Sequence, residues 1–536
     1  LKQFSGVIGR SGGIVLSQYC LQCLENMAGS NSKPVVCTFL NLALGLVLIW
    51  IVFLYCYHHN SLHAAEDAVN KLRSNNLGDI ISKVQSLSQE ELAALKAVVH
   101  GETHATPPAS SSPKQKTIPK EILVKQELSY PLKAHGKMEE EEKFHVGFST
   151  DCTFFQDWQT LLIFHSAVMV RQQGKITRIA SGCSDEKKAE LTTLYNKLYP
   201  QYSVHFTPDF KTDGKTKKKY EFYNKPYGVH HWLSNAEPPI PSGTVVSIID
   251  PDMIFIRPMT AQIRGNPANI YMRKFNPEKE VVPARVQHGT ASGQLYGLGA
   301  PWAQAYHKHF NRTEICGEGS PCLKTQQGYG EQHFSVGPPY MLERDDWIKL
   351  VGAWTNFVPR VYTKYPSLLA EMYAYSMAAA HTELPHFTLM NLMVSNVHAG
   401  DEGWKYIDSL GDDVCVPPVD GVFYPGKLMP TVLHYCQFYR AGEYGFQKRR
   451  IKKQIFDCDH PMMAELPRDI GKIDYKNRDG EIIKLGKTEA RRNAFMLCTV
   501  HNAINAMVTH YKSVMCGPGV TVNHNKTINV VEKGYY

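Results

Sequence analysis

The sequence is short of concentrated charge, of paired metal-type cysteines and of long apolar runs. Lys and Arg number 58 against 50 Asp and Glu, a formal net charge of +8 over 536 residues. So thin an excess does not supply the basic face a nucleic-acid-binding chain needs, and no nucleic-acid partner is expected. Beyond residue 57 no Cys-x-x-Cys pair occurs, which argues against a zinc ribbon. No internal repeat is present, so a solenoid is not expected. Mean hydropathy is −0.30, too low for a polytopic membrane protein. With 43% hydrophobic and 20% charged residues the chain is an ordinary globular mixture, not a mainly disordered one.

One long apolar run does stand out. Val35–Tyr57 carries no charge and, as a helix, would span about 35 Å, enough for a hydrocarbon core of about 30 Å. Signal peptides have shorter apolar cores and a small-residue cleavage site. Trp50, Tyr55 and Tyr57 gather toward one end, as at a membrane interface. Lys2, Arg10 and Lys33 precede the run, so the positive-inside rule keeps the short N-terminus cytosolic. Everything after the run would then be lumenal or extracellular. Residue 1 is Leu, so the natural start is expected upstream.

The expected organisation is a cytosolic tail (1–34), a transmembrane signal anchor (35–57), a stem and linker (58–143), a catalytic body (144–460) and a C-terminal extension with a terminal helix (461–536). The stem has helical spacing from Leu62 to His100, then a Pro/Ser-rich linker. Past the anchor lie Cys152, Cys183, Cys316, Cys322, Cys415, Cys436, Cys458, Cys498 and Cys516, an odd number. An oxidising lumen favours several disulfides with one thiol left over, and Cys316 and Cys322 flank a short Gly-rich loop suited to a local bridge. Asn311-Arg-Thr and Asn525-Lys-Thr are candidate N-glycosylation tripeptides.

In the body, strand and helix patterns alternate. FHVGFST from Phe144, KITRIAS from Lys175 and YSVHF from Tyr202 read as strands. DWQTLLIFHSAVMV from Asp157, the segment Lys187–Leu198 and NKPYGVHHWL from Asn224 read as helices. TVVSIID from Thr244 is a β-branched run typical of a central parallel strand. The expected fold class is α/β with an open, mainly parallel sheet, and ligands of such sheets sit at the carboxyl ends of the strands.

At that edge the central strand ends in Asp250-Pro-Asp252. Two hard oxygen ligands on a rigid turn suit Mn²⁺ or Mg²⁺ shared with substrate phosphates. His434, closing the apolar run TVLHY, is a candidate third ligand. Asn224 and Lys225 open a helix whose N-terminus favours anions, so both are candidates for donor-phosphate binding. Thr177 and Arg178, read as ending the second strand, are candidates for the same role, Arg178 through a bidentate contact. Glu371, on a helix, is a candidate to accept a substrate hydroxyl's hydrogen bond, with Asp252 as its catalytic companion. Trp158 and Gln159 read as packing residues. The basic run Lys448–Lys453 (KRRIKK) reads as a solvated face.

The order of FxxDWQ (Phe154–Gln159), ITRI (Ile176–Ile179), NKPYGVHHWL, IIDPDMIFIRP (Ile248–Pro258), LLAEMYAYSMAAA (Leu368–Ala380) and VLHYCQFY (Val432–Tyr439) resembles the hydroxyproline O-arabinosyltransferase family of plants and algae, and the related peptidyl-serine α-galactosyltransferases. The resemblance implies a GT-A-like domain, a UDP-sugar donor, retention of anomeric configuration and a single-pass type II place in the Golgi membrane. It implies hydroxyproline- or serine-containing peptides as acceptors and carries the metal-binding motif onto Asp250 and Asp252. Asp-Pro-Asp leans toward the arabinosyltransferases; Met253-Ile254 leans toward the galactosyltransferases. Arabinose transfer is preferred, serine galactosylation is the alternative, and a catalytically silent lumenal binder or scaffold is the rival of another class.

Overall fold

The computed structural model describes residues 143–517 and 527–528, apart from 273–280, 298–300, 304–309, 412–413, 443 and 477–480. The anchor Val35–Tyr57, the helical stem, the linker and Asn525 lie outside the described residues. Among the described residues no helix is long and apolar enough to cross a membrane.

A seven-stranded sheet has the order β3-β2-β1-β4-β7-β6-β8. Its strands are β1 (Phe144–Asp151), β2 (Lys175–Ser181), β3 (Ser203–Thr207), β4 (Val245–Ile249), β6 (Ala291–Leu295), β7 (Val336–Glu343) and β8 (His386–Leu389). β7 runs antiparallel to both its neighbours, and all other pairs are parallel. The expected mainly parallel α/β sheet is therefore present, with one reversed strand. A small sheet lies beside it, made of β5 (Met253–Phe255), β9 (Met393–Val394) and β10 (Val432–His434).

Side-chain alternation along the strands builds two cores, one on each face. From β4, Val245 and Ile249 join the first core while Val246 and Ile248 join the second. The first core is closed by α1 (Phe154–Met169), α2 (Asp185–Leu198) and the terminal helix; the second by α3 (Asn224–Asn235), α4 (Arg344–Lys364) and α5 (Ala370–His381). A local signal fixes the start of α2. Ser184 caps α2 by accepting from the Lys187 N–H, and Asp185 and Glu186 complement the helix dipole in its first turn. Gly147 lets α3 lie on β1, because a Cβ there would come within 2.8 Å of the Trp232 ring.

The terminal helix, α6 (Lys487–Met515), is not an appendage. Phe495, Leu497, Val500, Ile504 and Val508 belong to the first core, and disulfides Cys415–Cys498 and Cys458–Cys516 tie it to the body. Cys152–Cys183 and the expected local bridge Cys316–Cys322 bring the disulfides among the described residues to four, with Cys436 left there as a free thiol.

Three histidines are held neutral inside the fold. Burial lowers the pKa of His145, His165 and His386 to about 3, helped by Lys175, His510 and His333 respectively. The unfolded chain takes up these protons near pH 6.5 while the native chain does not. Stability is therefore full above that pH and falls toward pH 3, each histidine contributing up to about 1.4 kcal/mol per pH unit. Urea unfolding at pH 7 and pH 5 should show a clear loss at pH 5; equal stabilities would contradict the neutral assignment.

Candidate active site

The apolar strand β4 carries the chain to the carboxyl edge of the sheet and ends there at Ile249, just before Asp250. Asp250 to Met253 forms a turn closed by the Met253 N–H donating to the Asp250 carbonyl at 3.2 Å, with Pro251 at the second position, where its fixed φ fits. β5 then pairs antiparallel with β10, with Met253 opposite His434. The Tyr435 N–H donates to the Asp252 carbonyl at 3.0 Å, which locks that register. His434 thus comes beside Asp252 although 182 positions separate them, with Nε2 3.1 Å from Oδ1. Trp158, fully buried as expected of a packing residue, stacks obliquely behind Tyr435 at 5.9 Å. The side chains of Asp250, Asp252 and His434 offer ligand atoms all within 4.8 Å of one another.

Asp252 is buried, and burial alone would raise its pKa. The His434 imidazole and the Lys448 ammonium prevail and hold the carboxyl far below its ordinary range. The reciprocal effect raises the pKa of His434 well above its ordinary value against its own burial. Its Nδ1 lies 3.3 Å from the Met393 sulfur.

A second arm of the site comes from the α3 and α5 layer. Lys225, in the first turn of α3, is buried and reaches Asp250 at 2.7 Å and Glu371 at 2.9 Å. Burial opposes its charge, but the two carboxylates raise its pKa overall. One ammonium cannot neutralise both. The more deeply buried Glu371 accordingly has its pKa raised, by burial first and by Asp250 as well, against the pull of Lys225. Glu371 is anchored through its backbone: its N–H donates to the Tyr220 hydroxyl at 3.2 Å and its carbonyl accepts from the Trp354 indole at 2.8 Å. Its Oε2 is buried without a hydrogen-bond partner among the described residues.

Thus Asp250, Asp252, His434, Lys225 and Glu371 converge. Asn224 adjoins them but is engaged: its Oδ1 accepts from the Phe210 N–H at 2.8 Å and its carbonyl accepts from Ser149 at 3.1 Å. Thr177 and Arg178 do not join the cluster. They sit in the middle of β2, not at its end. Thr177 bonds His145 and Ser203, both at 2.7 Å. Arg178 is wholly buried and binds Thr150, Tyr195, the Asp151 carbonyl and the Asp157 carboxylate, the last at 2.9 Å. With these partners the guanidinium clamps β1, α1 and α2 together. Lys448 is the site residue that sequence reasoning missed, because it stands in a basic run that looks solvated. Only its place after the histidine and a hairpin-forming segment could have drawn attention to it.

A second histidine–carboxylate cluster, His288, Glu343 and Asp346, lies at the opposite edge, where Glu343 pairs with the first residue of β4. Its carboxylates accept from the backbone N–H groups of Gly243, Asp345 and Gly289, so they staple loops and cap α4.

Fold and site together define an α/β protein with a candidate cation-binding edge formed by two carboxylates and an imidazole, flanked by a buried lysine–glutamate pair. Residues 144–290 match the family model for the Hydroxyproline O-arabinosyltransferase family N-terminal domain. A peptidyl serine alpha-galactosyltransferase of Arabidopsis thaliana is 25% identical over 320 residues, covering 59% of this chain and 33% of the relative. One from Chlamydomonas reinhardtii is 26% identical over 280 residues, covering 47% and 32%. The chain therefore spans about a third of the length of the curated relatives it matches. Among solved structures, the galactosyltransferase LgtC in complex with donor and acceptor sugar analogs aligns over 55% of this chain and 87% of its own, at 8% identity and a TM-score of 0.31.

Proposed function

We propose that the chain is a GT-A-like, divalent-cation-dependent glycosyltransferase that moves a sugar from a UDP-sugar to hydroxyproline in secreted peptides, with arabinose the preferred sugar. The observation that carries this reading is the convergence of Asp250, Asp252 and His434 at the carboxyl edge, in a chain whose residues 144–290 match the arabinosyltransferase family. The donor set fits Mn²⁺ or Mg²⁺: hard carboxylate oxygens and an imidazole that binds a cation once it releases its proton, with one carboxylate kept ionised although buried. A divalent cation bound there would screen the negative charge of the nucleoside diphosphate leaving group. Lys225 fixes the Asp250 carboxylate and adds positive charge at the same edge. The unpartnered Oε2 of Glu371 supports a role for it as hydrogen-bond acceptor of a sugar or acceptor hydroxyl. A Golgi lumenal location, anchored through Val35–Tyr57, belongs to the same proposal; four disulfides support an oxidising compartment.

Serine galactosylation is the second reading, favoured by the names of both curated relatives and by Met253-Ile254. The purified protein, given Mn²⁺, a panel of UDP-sugars and hydroxyproline- or serine-containing peptides, separates the two by product mass. A pentose on hydroxyproline is expected, absent from the Asp250→Ala/Asp252→Ala variant. A hexose on serine would move the chain to the second reading. Neither transfer nor UDP-sugar hydrolysis with any metal would leave a silent binder.

A further inference from the structure

After β10 the chain folds back as a hairpin, β11 (Tyr439–Ala441) against β12 (Tyr444–Phe446). Tyr439, Ala441 and Phe446 are buried, which fixes where the returning strand ends. Gly445 lies under the Phe438 ring, where a Cβ would come within 2.9 Å, and Gly442 turns with φ of 57° where a Cβ would strike Ile473. These constraints set the register that delivers Lys448 to the cluster. Its ammonium takes Oδ2 of Asp252, while His434 holds Oδ1. The neighbouring Arg449 instead lies over the Phe155 ring, 5.3 Å from its centre. Lys448 is mostly covered, with 22% of its side chain exposed, against 7% for Asp252.

Both oxygens of Asp252 are already engaged, Oδ2 by the Lys448 ammonium and Oδ1 by His434. A divalent cation shared by Asp250, Asp252 and His434 would compete with that ammonium for the same carboxylate, and like charges held on one carboxylate repel in a partly buried site. We propose that Lys448 is a built-in competitor of the divalent cation, one that gives up Asp252 only when an anionic diphosphate arrives to take its charge. Cation and nucleoside diphosphate then bind cooperatively, and the free protein holds the metal weakly. The proposal rests on the reading of Asp250, Asp252 and His434 as a cation site.

The experiment measures Mn²⁺ binding to the full chain by the electron paramagnetic resonance signal of free Mn²⁺, with and without UDP, subtracting the background of the Asp250→Ala/Asp252→Ala variant. In the wild type, UDP should strengthen Mn²⁺ binding roughly tenfold, within the range usual for coupling between sites. In Lys448→Met, Mn²⁺ without UDP should bind about tenfold tighter than in the wild type, and the gain from UDP should shrink to about twofold or less. Lys448→Arg, which keeps the charge, should retain the wild-type coupling. Lys448→Gln is measured in parallel, and thermal unfolding confirms that the variants fold. Equal Mn²⁺ affinity in wild type and both neutral variants overturns the role of Lys448 and leaves the cation site standing. No specific Mn²⁺ binding in any of them, with or without UDP, overturns the cation site itself and this inference with it.

Discussion

Asp252→Asn is expected to abolish sugar transfer, lowering turnover by about 10²–10³-fold, the scale seen when one preorganised electrostatic group is removed from an active site. The amide keeps the shape of the side chain, its oxygen can still accept from Lys448 and its NH2 can donate to a neutral His434 Nε2, but it brings no negative charge to a cation. Asp252→Ala should be equally inactive and less stable. Removing one partner of a buried ion pair costs about 3–5 kcal/mol when the other charge is stranded. Here the loss should fall below that range, because His434 owes its raised pKa chiefly to Asp252 and can shed its proton once the carboxylate is gone. Lys448, partly exposed, can turn toward solvent. The two variants therefore separate chemistry from folding: both inactive, the alanine variant with the larger drop in Tm. Transfer by Asp252→Asn within tenfold of the wild type would remove Asp252 from the mechanism.

The central part of this architecture could be read from residues because each element there carries its own periodicity. KITRIAS is β2 as observed, and NKPYGVHHWL lies within α3. The run before Asp250 is β4, buried on both faces. The carboxylates at its end follow directly from that reading, since a buried parallel strand must hand its next residues to the ligand edge. The far half of the sheet was not legible. β7 contains Pro338 and Pro339, which argue against an interior strand, and β6 (ASGQL) has little β-branched character. Both are held by the register of their neighbours rather than by local preference. Arg178 misled for a related reason. A charged residue in an apolar strand looks like a ligand contact until Asp157 and Tyr195, from two other elements, close around it. Lys448 misled in the opposite direction, because a hairpin turns one lysine of a basic run inward. Both depend on contacts between segments far apart in sequence, which no local pattern records.

Lys225→Met is expected to have the largest effect on stability. The lysine is the cation described between Asp250 and Glu371, and without it two carboxylates face one another in a largely buried place. The cost should approach about 3–5 kcal/mol. Glu371 offers partial relief, since its pKa is already raised and it can hold a proton in place of the lost charge. The sign of the pH effect follows. A carboxyl whose folded pKa lies above its unfolded value stabilises fully below the unfolded pKa, near 4.3, and that contribution is lost as pH rises through the folded value. The deficit of Lys225→Met should therefore be smaller at pH 5 than at pH 8. Adding Glu371→Gln removes one of the opposed charges, so the double variant should recover roughly 1–3 kcal/mol, the range of coupling between contacting residues. Urea unfolding of the wild type, both single variants and the double variant at the two pH values completes the cycle. No recovery in the double variant, together with equal deficits at pH 5 and pH 8, would show that Lys225 acts through packing alone. Recovered folding should not bring back transfer, because the double variant lacks both the ammonium beside Asp250 and the Glu371 carboxylate. Stability and activity thus part company at this pair, as expected where a buried charge is retained for what it binds.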